Sequence, residues 1–272
     1  MKVLFVSFFI NNSHFIKSLS QSLKKHLGDV QHQVLVMNDA PDENNNYLQL
    51  VEQLTGDKNF RQDIKTEAIE NDCLYFEIPQ TIHLKNRPNH SSYRHSENFN
   101  FTISNISSIV DNFEQYDFLC FIDSDVILLD NPNLEKEIKD YDMIFPAIRY
   151  DHEGKTFYYP HIGLFFINLR TVTNFLDMDG SITGVDTGSQ LSEFLKQNPH
   201  YNNKKLFQFE ETHTWGQLDE VDLWMNKKFL HIRGGSSFST GSSLHRNQSL
   251  VNDYINRLRD ISETYKINYW SL

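Results

Sequence analysis

Two aspartates, Asp123 and Asp125, stand one residue apart between the apolar runs Phe118–Ile122 and Val126–Leu129. In an extended chain, side chains two positions apart share a side. The pair is therefore expected to project together from the end of a buried strand. Two converging carboxylates repel each other unless a cation or a shared proton lies between them, so the chemistry this pattern supports is a divalent-metal site. Further along, His231 follows another apolar run, and Gly234-Gly235-Ser236-Ser237 offers consecutive backbone amides and hydroxyls to an anion. Neutral imidazole is a usual ligand of transition metals. His231 can thus complete a set with the aspartates, and such a set with phosphate oxygens suits Mn²⁺ better than Mg²⁺.

The sequence that must position these residues alternates strand and helix signals. Val3–Phe9 reads as a buried strand, and Phe15–His26 as a helix with Ile16, Leu19 and Leu23 on one face. Gln33–Met37 is a second strand, ending in Asn38-Asp39-Ala40-Pro41. A helix is expected around Tyr47–Leu54 and a third strand over Cys73–Ile78. Gln80–Asn100 is rich in His, Asn and Ser without periodicity and reads as a long loop, of the kind that is functional or disordered. Ile103–Phe113 returns to helical spacing before the Phe118–Ile122 strand.

Beyond the aspartates come a turn at Asp130-Asn131-Pro132, a short helix over Leu134–Lys139, and strands at Met143–Pro146 and Ile162–Leu169. Thr187-Gly-Ser-Gln190 fits a capping box that opens a helix running to about Gln197. A last strand, Phe229–Ile232, and a closing helix, Leu250–Tyr265, complete the chain. With no repeat or linker, the alternation predicts one α/β domain over residues 1–272, its mostly parallel central sheet flanked by helices. Ligands of such sheets bind beyond the carboxyl ends of the strands, where Asp123 and Asp125 fall.

A length of 272 residues allows a sizeable core. The formal charge of -11 argues against a nucleic-acid partner, since phosphate chains want Lys and Arg; a phosphate ligand would need a local cation instead. Cys73 and Cys120 both lie in apolar strand-like runs and read as reduced core thiols of a cytoplasmic protein. Met1–Ile10 is too short, and too soon followed by Asn11-Asn-Ser-His14, for a signal peptide. No apolar stretch approaches the ~20 residues of a transmembrane helix, so no integral membrane segment is expected.

Together these elements resemble the GT-A glycosyltransferases, which transfer a sugar from a nucleotide-sugar donor. The resemblance is carried by Phe121-Ile-Asp-Ser-Asp-Val126 and by His231-Ile-Arg-Gly234, similar to the late His-x-x-Gly of the glycogenin-like retaining branch. Pro160-His-Ile-Gly-Leu-Phe-Phe-Ile-Asn168 and Val185-Asp-Thr-Gly188 add to it. It implies a Rossmann-like GT-A domain in which residues 1–122 serve the nucleotide and 123–272 the metal, donor sugar and acceptor. It further implies Asp125 and His231 as ligands of Mn²⁺ (or Mg²⁺), with Asp123 on the donor ribose, the metal or both. Asp186 becomes the acceptor-side carboxylate and His161 its neighbour.

Base and ribose are expected at the ends of the first two strands, near Ser7, Phe8 and Asn38, with Arg94 and the amides of Gly234, Gly235 and Ser236 toward phosphate. Trp215 is a candidate to stack on a sugar face. The donor implied is a UDP-sugar. The acceptor implied is a hydroxyl of a glycan or lipid-linked glycan, as in bacterial polysaccharide biosynthesis. One departure stands out. The branch often continues to Lys-Pro-Trp, where this chain has Ser236-Ser237-Phe238, leaving the phosphate charge to Arg233, Arg246 or loop amides. Two other readings exist: a haloacid-dehalogenase-like phosphatase with Asp123 as nucleophile, and a non-catalytic metal- or sugar-binding module on the same fold. Val126-Ile127, standing where such phosphatases commonly have Gly-Thr or Gly-Val, weighs against the phosphatase.

Overall fold

The first strand, β1 (Lys2–Phe9), is apolar at almost every position because both its faces are covered. In the computed structural model, residues 1–10, 13–40, 60–83, 91–152, 155–173, 188–207, 221–232 and 248–267 are described. β1 pairs in parallel with β2 (Gln31–Asn38) and with β4 (Phe118–Ile122), and β2 in turn with β3 (Leu74–Glu77). Beyond β4 the sheet changes sense. β8 (Leu164–Asn168) and β6 (Met143–His152) follow antiparallel, β7 (Lys155–Pro160) makes a hairpin with β6, and β9 (Asn203–Phe207) joins β6 in parallel. The order is β3-β2-β1-β4-β8-β6-β7, with β9 on β6. A second, antiparallel sheet runs β10 (Val221–Trp224), β11 (Phe229–Ile232), β5 (Val126–Leu128).

Alternation along the strands sorts the core into two layers. Val3, Phe5 and Phe9 of β1 pack with Phe15, Ile16 and Leu19 of α1 (His14–His26), Ile64 and Ala68 of α2 (Phe60–Glu70), and the small sheet. Leu4 and Val6 face the other way, onto Phe99, Ile103 and Ile106 of α3 (Ser91–Ile109). The short α4 (Leu134–Ile138) and Leu258 and Ile261 of α6 (Gln248–Tyr265) close the first layer, and Leu191 of α5 (Ser189–Gln197) belongs to the second. The architecture is thus α/β, with helices on both faces of a central mixed sheet. Among the described residues, no helix is long and apolar enough to cross a membrane.

Several expectations change on contact with the structure. Gln80–Asn100 is not a continuous loop: a 3₁₀ turn occupies Gln80–Ile82, and α3 begins at Ser91 rather than at Ile103. The helical period is hidden there because the buried face of α3 includes the polar side chains of Ser96 and Asn98, at 1% and 2% exposure, with Asn98 donating to Asp39. α2, β9 and β10 were not expected from the sequence, and the 143–160 region forms a hairpin longer than the Met143–Pro146 strand. The helix expected near Tyr47–Leu54 lies outside the described residues.

The N-cap of α5 is Gly188 rather than Thr187, without a side-chain capping bond. A Cβ at Gly188 would stand 1.7 Å from the Pro160 carbonyl oxygen. Only glycine therefore lets the helix start abut the end of β7.

Candidate metal centre

The chain leaves the large sheet at Ile122 and enters the small one at Val126. Asp123 and Asp125 occupy the turn between, closed by a hydrogen bond from the Val126 N–H to the Asp123 carbonyl at 3.1 Å. The aspartates thus converge because the chain turns, and not because they alternate along one strand as the spacing alone suggests. β11 lies antiparallel to β5 with His231 opposite Val126, and the Ile232 N–H donates to the Asp125 carbonyl at 3.1 Å. This register carries the late histidine onto the turn.

One ligand atom each from Asp123, Asp125 and His231 lies within 4.8 Å of the others. His231 Nε2 is 3.5 Å from Asp125 Oδ1 and 3.9 Å from Asp123 Oδ2. Ligand atoms held roughly 2.1 Å from a cation stand about 3–4 Å apart, so this mixed O,O,N set fits a divalent ion. The Asp125 side chain is 1% exposed while Asp123 keeps 24%, which leaves an approach from solvent on the Asp123 side. The Trp224 ring lies parallel to that of His231, 4.8 Å between centroids at 25°, and fixes the plane of the imidazole.

His161 belongs to the same cluster. Its Nε2 is 4.0 Å from Asp123 Oδ2, and its ring centroid lies 5.5 Å from that of His231. Gly163 seats both residues: its carbonyl accepts the Asp123 N–H at 2.9 Å, and its N–H donates to His161 Nδ1 at 3.1 Å. A Cβ at Gly163 would fall 2.1 Å from Asp123 Oδ2 and 2.5 Å from His161 Cε1. Gly163→Ala is accordingly expected to push the Asp123 carboxylate out of the cluster and weaken Mn²⁺ binding roughly tenfold or more. Titration of Mn²⁺ followed by the electron-spin signal of the free ion checks this, and unchanged affinity would show that Asp123 has room to spare.

The residues expected on the nucleotide side lie toward the ends of β1 and β2 and on α3. Ser7 is fully buried. Asn38 donates to the Arg61 carbonyl at 3.0 Å and to the Tyr75 hydroxyl at 2.8 Å, and its Oδ1 accepts the Ala40 N–H. Arg94 is turned to Asp39: Nε donates to Oδ2 at 2.6 Å and Nη2 to Oδ1 at 2.8 Å. Phe8 packs on Phe121 and His95, on the α3 side, while Phe9 fills the opposite core. Asp186, Trp215, Arg233, Gly234, Gly235, Ser236, Ser237, Phe238 and Arg246 lie outside the described residues.

No protein-family model and no curated protein matches the chain. Solved structures do. In fold, the chain is similar to nucleotide-sugar glycosyltransferases. One match is glucosyl-3-phosphoglycerate synthase from Mycobacterium tuberculosis, solved with Mn²⁺, UDP and glucosyl-3-phosphoglycerate. It covers 76% of this chain and 69% of that one at 12% identity, with a TM-score of 0.43. Another is the galactosyltransferase LgtC with donor and acceptor sugar analogs, covering 76% of this chain and 73% of that one at 14% identity, TM-score 0.36.

Trp224 and Gly163 are the site residues that sequence reasoning passed over. Trp224 ends a strand of four residues, Val221–Trp224, too short to show a period. The signal for Gly163 is its place two residues after His161, which acquires meaning only once the β4–β8 pairing brings it under Asp123.

Proposed function

We propose that this chain is a metal-dependent glycosyltransferase that moves a sugar from a nucleotide diphosphate sugar, a UDP-sugar in the first instance, to a hydroxyl of a glycan or lipid-linked glycan, with retention. The observation that carries the reading is the convergence of Asp123, Asp125 and His231 within 4.8 Å, just beyond the carboxyl end of β4. This is the edge at which sheets of this kind bind ligands. The sequence resemblance to the His-x-x-Gly branch supports the choice of donor and of stereochemistry.

Asp125 and His231 would hold the ion, and Asp123 would serve the ion and the donor ribose. The chemistry an ion held there would supply is positive charge against that developing on the departing diphosphate. By the sequence resemblance, the backbone amides of Gly234, Gly235 and Ser236 would donate hydrogen bonds to the same group. By the same resemblance, Asp186 would accept a hydrogen bond from the acceptor hydroxyl and orient it toward the anomeric carbon. Cys73 and Cys120 are both free thiols, consistent with a cytoplasmic location.

Calorimetric titration of UDP into the metal-free protein, with and without Mn²⁺, tests the reading. Binding that requires Mn²⁺, followed by slow hydrolysis of one UDP-sugar among several, is expected. Equal binding without Mn²⁺, or retention of BeF₃⁻ in the absence of nucleotide, would overturn it and favour phosphoryl chemistry at Asp123.

A further inference from the structure

Two imidazoles face the same carboxylate oxygen at nearly the same distance. His231 Nε2 is 3.9 Å and His161 Nε2 is 4.0 Å from Asp123 Oδ2. They are not chemically equivalent, because Gly163 decides where the His161 proton sits. An amide N–H can only donate, so His161 Nδ1, which receives the Gly163 N–H at 3.1 Å, must present its lone pair. The proton of the neutral ring is then on Nε2, the nitrogen that faces Asp123. A ligating histidine needs the reverse: a lone pair on the metal side and an N–H on the far side, usually donated to a carbonyl, carboxylate or water. Metallation of His161 would set an N–H of the ring against the N–H of Gly163.

We propose that His161 is a positioning residue of the metal centre: its Nε2–H, facing Asp123 Oδ2 from 4.0 Å, draws the carboxylate toward the ligand set through the ring's dipole rather than through a formed hydrogen bond, and it is not itself a ligand. This moves His161 from the acceptor side, where the sequence resemblance puts it, to the metal side. The inference rests on the metal reading of the site. Its surroundings restrain the ring as such a role requires. The His161 N–H is tied to the Pro146 carbonyl at 2.8 Å, its ring leans on Trp224 at 5.4 Å between centroids, and its side chain is 13% exposed. Asp123, the most exposed of the cluster, is the member with most to gain from a fixed donor.

Long-range ¹H–¹⁵N spectra of the ¹⁵N-histidine-labelled full chain read the tautomer directly, first without metal and then with Zn²⁺ as a diamagnetic probe. His161 is expected to be the neutral Nε2–H form in both states, while His231 responds to Zn²⁺. In parallel, His161→Ala should weaken Mn²⁺ binding about 10–100-fold, as loss of an outer partner of a ligand does. His161→Gln, whose amide NH₂ reaches nearly as far as Nε2, should restore it to within a few-fold. A Zn²⁺-induced switch of His161 to the Nδ1–H form, or wild-type Mn²⁺ affinity in His161→Ala, would overturn the proposal. If no histidine responds to Zn²⁺, the metal reading fails and takes the proposal with it. That outcome is distinguishable, because the metal-free spectrum still reports the His161 tautomer.

Discussion

Asp125→Asn is expected to weaken Mn²⁺-dependent UDP binding by at least ~100-fold, since even the outer partners of metal ligands cost about 10–100-fold when removed. The substitution keeps the shape of a side chain that is 1% exposed and leaves the Asp125 carbonyl free to accept the Ile232 N–H. The attachment of β11 to the turn survives it. In the metal-free protein the change also relieves repulsion between two carboxylates, so the apo Tm should be unchanged or higher. The sign reverses once metal is added. An ion at 100 times its Kd stabilises the wild type by about 2.7 kcal/mol, or roughly 5–10 °C in Tm for a domain of this size, and that rise should vanish in Asp125→Asn. A variant with a normal Mn²⁺-induced rise would mean that the three side chains merely share a corner of the fold.

The residues that converge as Asp123, Asp125 and His231 are legible in sequence because they are chemically conspicuous. Two acids interrupt an apolar run, and a histidine ends another. The geometry that unites them is not. Alternation along a strand explains neither the turn at Asp123–Val126 nor the small sheet that brings in His231, because strand pairing joins residues far apart in the chain. The central strands were readable since β1 and β4, buried on both faces, leave continuous apolar runs. α3 was misread at its start for the opposite reason. Ser96 and Asn98 in its N-terminal half are buried polar side chains, and a helix that pays for burial with hydrogen bonds leaves no apolar period to see. Ser7, Asn38 and Arg94 are expected near the nucleotide because they stand at strand ends and in a polar segment. In the structure Asn38 and Arg94 have internal partners and Ser7 is buried, features that strand-end position does not announce.

The polar segment matters most through Asp39, and Asp39→Asn is expected to cost about 3–5 kcal/mol, the usual consequence of stranding one member of a buried ion pair. Asp39 is fully buried. Arg94 grips it with a two-pronged fork, Asn98 Nδ2 donates to Oδ2 at 2.7 Å, and His83 Nε2 lies 2.8 Å from Oδ1. The other His83 nitrogen is 2.8 Å from Glu97 Oε2. These bonds fasten the 3₁₀ turn and α3 to the end of β2, so the loss should appear in urea unfolding as cooperative destabilisation, with Tm lower by roughly 10 °C. Asp39→Leu combined with Arg94→Met should cost less than the sum of the single changes, since no charge is left stranded.

The acid limb of the stability curve offers an independent check. Burial pushes the Asp39 carboxyl up, but the His83 hydrogen bond and the Arg94 charge outweigh it and hold the group below its ordinary 3.8. A depressed carboxyl contributes stability above its unfolded value and loses it as pH falls further, so this contribution should disappear below about pH 4. His14 acts in a different window. Burial lowers its imidazole from 6.5 to about 4, so the unfolded chain takes up a proton first and stability declines between those values. Asp39→Asn should therefore flatten the loss below pH 4 and leave the slope between pH 6.5 and 4 intact. A variant within 1 kcal/mol of the wild type at neutral pH, with an unaltered acid limb, would mean that water rather than Arg94 and His83 balances the Asp39 charge.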